Sequence, residues 1–202
     1  MHVITLYGSS RSRATRCAWA LEEIGAKYER NALAEPGALK SADYLKINPA
    51  GKAPSLTDGD LKMFESLAIN LYVAKNYGKA PFWPADKKDQ ARAEMWTLWA
   101  ATEAEPRAIG MLIERVFKPE DKRDPAKAAA LEEELKPRMD VLNQSLAGKD
   151  NLLGKDFTVA DLNVASVVAA AVPAKFDMGP YPHVDRWLKS AMARPAFQKS
   201  RQ

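Results

Sequence analysis

The sequence predicts two units of different class: an α/β unit over residues 1–78 and an all-helical unit over 87–202, joined by a linker over 79–86. Three observations carry this. A strand–helix–strand pattern opens the chain over about thirty residues. Breaker-rich turns and an Asp-Gly hairpin signal follow it. Beyond Pro84, apolar residues recur only at helical spacing.

Residues 2–7 are β-prone and bounded by Gly8-Ser9-Ser10, which reads as a strand. From Arg13 the period changes. Cys17, Ala20, Leu21 and Ile24 share a helical face, and Gly25 stands where a C-cap glycine belongs. Residues 28–33 read as a second strand, so the opening is a right-handed parallel βαβ unit. Residues 34–48 form a loop with one helical turn, and Asn48 to Pro54 holds too many breakers for a regular element. Short strands over 55–57 and 61–64 flank Asp58-Gly59-Asp60. Residues 66–77 form a helix with Leu67, Leu71 and Ala74 on one face and Gly78 as its stop. Pro81 and Pro84 mark the linker.

In the second unit, residues 89–117 read as one long helix kinked at Pro106. Asp124 caps the next helix, with Pro125 at its first position, and Leu131, Leu135, Met139, Leu142 and Leu146 form its apolar stripe. Thr158 and Asp161 make a capping box, with Phe157 and Leu162 spaced as a hydrophobic staple. Residues 183–193 form a last helix that Arg194-Pro195 ends.

Composition narrows the function. The 202 residues are 47% hydrophobic, enough for a sizeable core, and contain no apolar run long enough to cross a membrane. The N-terminus lacks a basic region and a cleavage site, so it reads as a strand and not a signal peptide. The net charge of +4 comes from interleaved acids and bases, which disfavours nucleic acid and suits small anionic ligands. One cysteine excludes an intrachain disulfide and fits a reducing, cytoplasmic compartment. His2 and His183 lack companions at ligand spacing, so no metal site is expected.

The stretch NPAGKAPSLTDGDLKMFES, from Asn48 to Ser66, resembles the pattern NPxGKVPxLxDGxxxLxES of cytosolic glutathione transferases. The resemblance continues through Ala68-Ile69 and, more sparsely, to the C-terminal YPHVDRWLKSAMARPAFQKS. It implies a thioredoxin-like N-terminal domain that binds glutathione, an all-helical C-terminal domain, and a homodimer. It implies that Pro54 is a cis-proline and that the backbone of Ala53 pairs with the cysteinyl part of glutathione as an added strand would. Ala53 stands where the family usually has Val, a change that a backbone contact tolerates. Ser66, at a helix N-terminus, would take the γ-glutamyl carboxylate. Glu65 would face the γ-glutamyl ammonium, and Lys52 the glycine carboxylate.

The second site is the run from Tyr7 to Arg13, where a strand passes into a helix. A free thiol, with a pKa of about 8.5, is mostly protonated at neutral pH. Donors and positive charge lower that value. Arg11-Ser12-Arg13 resembles the Arg-x-Arg signature of the chi class, which implies that Arg11 stabilises the thiolate and Arg13 helps hold glutathione. Ser10 and Ser12 flank Arg11, and the sequence leaves Arg11, Ser10 and Ser12 open as the thiolate partner. Tyr7 occupies a position where some classes use a catalytic tyrosine; it reads as an ordinary strand residue, with a place in the co-substrate pocket as the functional alternative. Cys17 reads as a small core residue. Trp96 and Trp99 read as core, with a wall for an apolar co-substrate as the functional alternative, and Glu103 would face a partner subunit's glutathione.

The expected function is therefore glutathione transfer to an apolar electrophile, with glutathione as co-substrate and no further cofactor. The same site could serve a peroxidase, dehalogenase or isomerase. A non-catalytic ligand-binding or regulatory protein is the alternative from another class.

Overall fold

The computed structural model describes residues 3–202. The expected start of the first strand at His2, and His2 itself, lie outside the described residues. Two compact units emerge: the described part of Met1–Trp83 with Arg194–Gln202, and Pro84–Ala193.

The first unit is a four-stranded mixed sheet with helices. β1 (Ile4–Tyr7), α1 (Ala14–Glu23) and β2 (Tyr28–Asn31) form the expected parallel βαβ unit, with Leu6 opposite Arg30 and Tyr7 opposite Asn31. Ile4 and Leu6 are buried and alternate with half-buried Thr5 and Tyr7, the period-2 pattern of a strand. α1 buries Cys17, Ala18, Ala20 and Leu21 and stops at Gly25, whose φ of 66° few residues but glycine adopt readily. β2 is two residues shorter than the expected 28–33. Asn31 Oδ1 accepts from the Leu33 N–H at 3.0 Å, and this side-chain turn diverts the backbone from the ladder.

Two short turns, not the one expected, sit in the connecting loop: a 3-10 turn (Ala38–Lys40) and α2 (Ala42–Leu45), whose N-cap Ser41 accepts from the Tyr44 N–H. The hairpin of β3 (Ser55–Asp58) and β4 (Leu61–Phe64) pairs Asp58 with Leu61 around Gly59, whose φ is 63°. β3 joins β1 antiparallel, giving the sheet order β2-β1-β3-β4. α3 (Ser66–Tyr77) follows within the expected bounds, and its Tyr72 and Tyr77 hydroxyls both donate to Asp58 Oδ2 at the end of β3. Leu6, Leu21, Leu56, Ile69 and Trp19 are the largest buried side chains of this unit.

The second unit is helical. α4 (Lys87–Trp99) begins two residues before the expected 89, because the Asp86 side chain caps it by accepting from the N–H groups of Lys88 and Asp89. The long helix expected over 89–117 is divided. A π-helical turn (Ala100–Ala104) precedes α5 (Glu105–Leu112), and a second (Ile113–Phe117) follows it. Pro106 has no N–H to give to the Thr102 carbonyl, and its ring crowds that carbonyl. Arg107 Nη1 replaces the missing donor, reaching the carbonyls of Thr102 at 3.0 Å and Glu103 at 3.1 Å.

α6 (Pro125–Ser145) starts at the predicted Asp124 cap, whose side chain accepts from the Lys127 N–H. α7 (Val159–Val168) starts at the predicted capping box. There Asp161 is fully buried and accepts from the N–H groups of Leu152 and Thr158, the Thr158 hydroxyl and Trp187 Nε1. Trp187 lies on α8 (Pro182–Met192), so one carboxylate ties the box to a neighbouring helix. Pro195, expected only to end that helix, also opens a further one, α9 (Pro195–Ser200), because proline's fixed φ suits a first turn. α9 packs on α1 and belongs to the first compact unit.

Glu114, just after α5, is buried against Lys118, Lys127 and the Asp124 N–H. The hydrogen bond from Lys118 first, then those from Lys127 and Asp124, hold its carboxyl down to about 2, from an ordinary 4.5. A carboxyl depressed in the folded state stabilises it above the unfolded pKa, and that contribution disappears as pH falls through the folded one. The protein should therefore lose stability between pH 4.5 and about 2, and Glu114→Gln should lose less across that window, read by urea denaturation at several pH values.

Candidate active site

The strand register decides which loops meet. Tyr7 pairs with Ser55, and Ser55 pairs with Phe64. The segments just beyond these positions are therefore neighbours at one end of the sheet: Gly8 onwards, Ala53-Pro54 and Glu65-Ser66. All the glutathione-site candidates of the first unit lie on them except Lys52, which directly precedes Ala53.

Gly8 leaves β1 with φ of 134°, its N–H still donating to the Asn31 carbonyl at 2.8 Å. A Cβ on Gly8 would stand 2.7 Å from Ala14 Cβ, 3.0 Å from Ser12 Oγ and 3.2 Å from Ala53 Cβ. Ser12 and Ala53 thus close on the same point, and the fold requires glycine there. The Ser9–Ser12 turn is tied internally. The Ser12 N–H and hydroxyl both donate to the Ser9 carbonyl, at 3.1 and 2.8 Å, and Ser12 Oγ accepts from the Ala14 N–H at 3.2 Å. Of the three open candidates, Ser12 is half-buried at this junction, whereas Ser10 and Arg11 are exposed. Arg13, also exposed, is the N-cap residue of α1.

The Ala53–Pro54 peptide is cis, as expected, and Pro54 is buried. Among the described residues, no hydrogen bond engages the N–H or C=O of half-buried Ala53. The loop is held one residue earlier. The Lys52 carbonyl accepts from Tyr44 Oη and Asn48 Nδ2, both at 2.7 Å, and Tyr44 Oη also meets Ser55 Oγ at 2.8 Å. The Lys52 side chain is left exposed. Lys40 Nζ lies close by, donating to the Ala50 carbonyl at 3.3 Å.

Glu65 precedes α3 with φ of 72°, a region costing a non-glycine residue about 1–3 kcal/mol and typical of functional positions. Its side chain is exposed, while Ser66 is buried at the helix start. Arg16 Nη1 approaches Ser66 Oγ at 3.5 Å from α1, and Cys17 Sγ reaches the Ser66 carbonyl at the same distance. Burial pushes the Cys17 thiol well above the usual range, with Arg16 and Arg30 opposing, so Cys17 is an unreactive core residue.

Tyr7 is half-buried, its ring 6.0 Å from that of Tyr44. Trp96, Trp99 and Glu103 belong to the second unit. The two indoles meet edge to face at 5.2 Å, Trp96 buried and Trp99 half-buried. The Glu103 carboxylate accepts from Arg138 Nε at 3.0 Å. Among the described residues, no group of three or more acidic, histidine or cysteine side chains is arranged to hold a metal.

Sequence reasoning missed Tyr44, Lys40 and Arg16. Arg16 had a signal: it lies three residues from Arg13 and one before Cys17, so a helix that buries Cys17 brings the arginine partly with it. Tyr44 had none, since its role is made by a contact eight residues further on.

The glutathione S-transferase N-terminal domain family matches residues 2–75, and its C-terminal counterpart matches 106–195. A probable glutathione S-transferase, GSTF2, of Oryza sativa subsp. japonica is 34% identical over 98% of this chain and 96% of its own. Glutathione S-transferase GstB of Escherichia coli K12 is 32% identical over 98% and 97%. Among solved structures, a glutathione S-transferase-I bound with lactoylglutathione superposes with a TM-score of 0.89 at 30% identity, covering 99% of both chains. A theta-class glutathione S-transferase of Xanthomonas axonopodis pv. citri with glutathione bound gives 0.90 at 28%, covering 99% of this chain and 97% of its own.

The Gly8 geometry separates clash from backbone strain. Gly8→Ala should destabilise by about 2–4 kcal/mol, since a left-handed penalty and overpacking add. Gly25→Ala, with φ of 66° and nothing within 4 Å of a new Cβ, should lose only about 1–2 kcal/mol. Urea denaturation of the two variants checks the difference.

Proposed function

The chain belongs to the glutathione S-transferase family and is a glutathione transferase; from that premise we propose that it holds glutathione as the thiolate along Ala53 and attacks an apolar electrophile. The observation that carries this is the convergence at one end of the sheet. There the unengaged backbone N–H and C=O of Ala53, the Ser12 hydroxyl and the Ser66 helix start are neighbours. A peptide-like ligand added along Ala53 would complete two hydrogen bonds, as an extra strand does. Its γ-glutamyl carboxylate would rest on Ser66 and the first turn of α3, with Arg16 behind the hydroxyl. Glu65 would meet the ammonium, and Lys52 the glycine carboxylate, with Arg13 assisting.

The cysteinyl sulfur then lies against the Gly8–Arg13 loop. We assign the directional hydrogen bond to Ser12, whose O–H would turn from the Ser9 carbonyl to the sulfur, because its hydroxyl and Ala53 both close on Gly8, and the longer-range positive field to Arg11, with the α1 N-terminus adding to it. Ser10 is the remaining donor. Lowering the thiol pKa toward neutrality raises the thiolate fraction, and holding it next to the electrophile supplies the proximity. In the helical unit, Trp96 and Trp99 are the proposed apolar surface for a co-substrate, and Glu103 would face a partner subunit's glutathione. The Arg11-x-Arg13 spacing supports a chi-like variant of the thiolate site. Among the described residues, no helix is long and apolar enough to cross a membrane. We read the chain as a cytoplasmic detoxification enzyme that needs no cofactor beyond its co-substrate, with no nucleic-acid partner.

A pH–rate profile with a small aryl halide tests the site. Ser12→Ala should lower kcat about 100-fold and move the rise in rate to higher pH. Arg11→Ala should do the same to a smaller extent, and Tyr7→Phe and Ser10→Ala should change little. Ser66→Ala should instead weaken glutathione binding about tenfold, read by calorimetry. Loss of activity in Tyr7→Phe with Ser12→Ala unaffected would overturn the assignment.

The same reading implies a two-fold homodimer. Met95 and Leu98, on one helix, are 53% and 65% exposed, an apolar surface that a partner would cover. Sedimentation at micromolar concentration should return twice the 22.3 kDa chain mass.

A further inference from the structure

Resting on the transferase reading, we propose that Arg30 is a positioning residue for the thiolate loop, and that the C-terminal helix α9 acts on that loop through it. Arg30 lies on β2 opposite Leu6, on the same face as Tyr28, whose hydroxyl donates to Glu22 of α1. From there its guanidinium reaches two carbonyls. Nε donates to the Gly8 carbonyl at 3.1 Å, and Nη1 donates to the Ser200 carbonyl at 3.3 Å.

The first bond sets the orientation of the Gly8–Ser9 peptide. The Gly8 N–H is already committed to Asn31, so the two bonds together pin both sides of the one residue from which the Ser9–Ser12 turn departs. That turn carries Ser12 against Ala53. A lost bond at Gly8 frees the peptide plane at a residue whose φ has no steric restraint.

The second bond anchors the arginine. Ser200 is the last residue of α9, and a guanidinium at a helix C-terminus is favoured by both the free carbonyls and the helix dipole. α9 is itself fastened to α1. Arg194 pairs with Glu23, Lys199 Nζ lies 2.6 Å from Glu22, and the Phe197 ring meets Trp19 edge to face at 4.9 Å. The third nitrogen, Nη2, is buried and makes no hydrogen bond among the described residues. An apolar side chain would cover this face without that desolvation penalty, but only a forked donor bridges both carbonyls.

The test compares the intact wild-type chain with Arg30→Met and Arg30→Lys by amide hydrogen exchange and by pH–rate profiles of glutathione conjugation. Losing a charged hydrogen bond should speed exchange of the Gly8, Ser12 and Ala14 amides in Arg30→Met by about tenfold beyond any change in β3. kcat should fall and the rise in rate should move to higher pH, while KM for glutathione changes less. Arg30→Lys, with one ammonium for two carbonyls, should fall between, and it carries the test if Arg30→Met does not fold. Exchange that rises equally in β3, or kcat and pH midpoint that stay at wild-type values, would make Arg30 a merely structural residue and overturn the proposal. A wild-type chain that neither binds nor turns over glutathione would instead sink the transferase reading itself.

Discussion

The antiparallel pairing of β1 with β3 is the constraint on which the site depends. β1 enters the sheet as the first arm of a parallel βαβ unit and would alone leave its C-terminal loop facing solvent. β3 turns this into a site by running the other way, so that its own beginning meets the end of β1. The hairpin then returns β4 to the same end. Strands about 4.8 Å apart bring three loops, remote in sequence, within reach of one tripeptide-sized ligand. Each loop supplies a different chemistry: a hydroxyl beside positive charge, a bare backbone edge, and a helix N-terminus.

Buried polar groups keep these segments in place more specifically than apolar packing does. Asp58 ties the end of β3 to α3 through two tyrosines, and Tyr44 with Asn48 fixes the carbonyl just ahead of Ala53. In the helical unit, Asp161 collects four donors, and Asn163 donates to Thr97 at 2.9 Å. A buried donor or acceptor without its partner costs about 1–3 kcal/mol, so each such bond excludes alternative loop placements. The glutathione contacts are therefore expected to be largely preformed.

The positive charge of the chain is used locally. Arg11 and Arg13 are exposed on the first loop and Lys52 on the second, the third carries the exposed acid Glu65, and Arg16 lies buried in α1 beside Ser66. In the helical unit Arg115 pairs with Glu132 and Arg107 with Glu134, which hold α5-side residues to α6.

The sequence by itself determined every element whose signal is local. The cap at Asp124, the box at Thr158 and Asp161, the Asp-Gly hairpin and the stop at Gly25 each depend on residues within one turn of one another. The motif from Asn48 to Ser66 was legible through its resemblance to the glutathione-transferase pattern, which also implied the cis-proline at Pro54. What only the tertiary structure decided came from contacts between distant residues or from competition at one residue. Asn31 ended β2 early through its own side chain, and Pro106 with Arg107 replaced a simple kink by a π-helical turn. Pro195 began a helix that returns to α1. The sequence leaves Ser10, Arg11 and Ser12 open as the thiolate partner because all three are adjacent and polar. Their distance from Ala53, more than forty residues away, is fixed only when β1 and β3 pair.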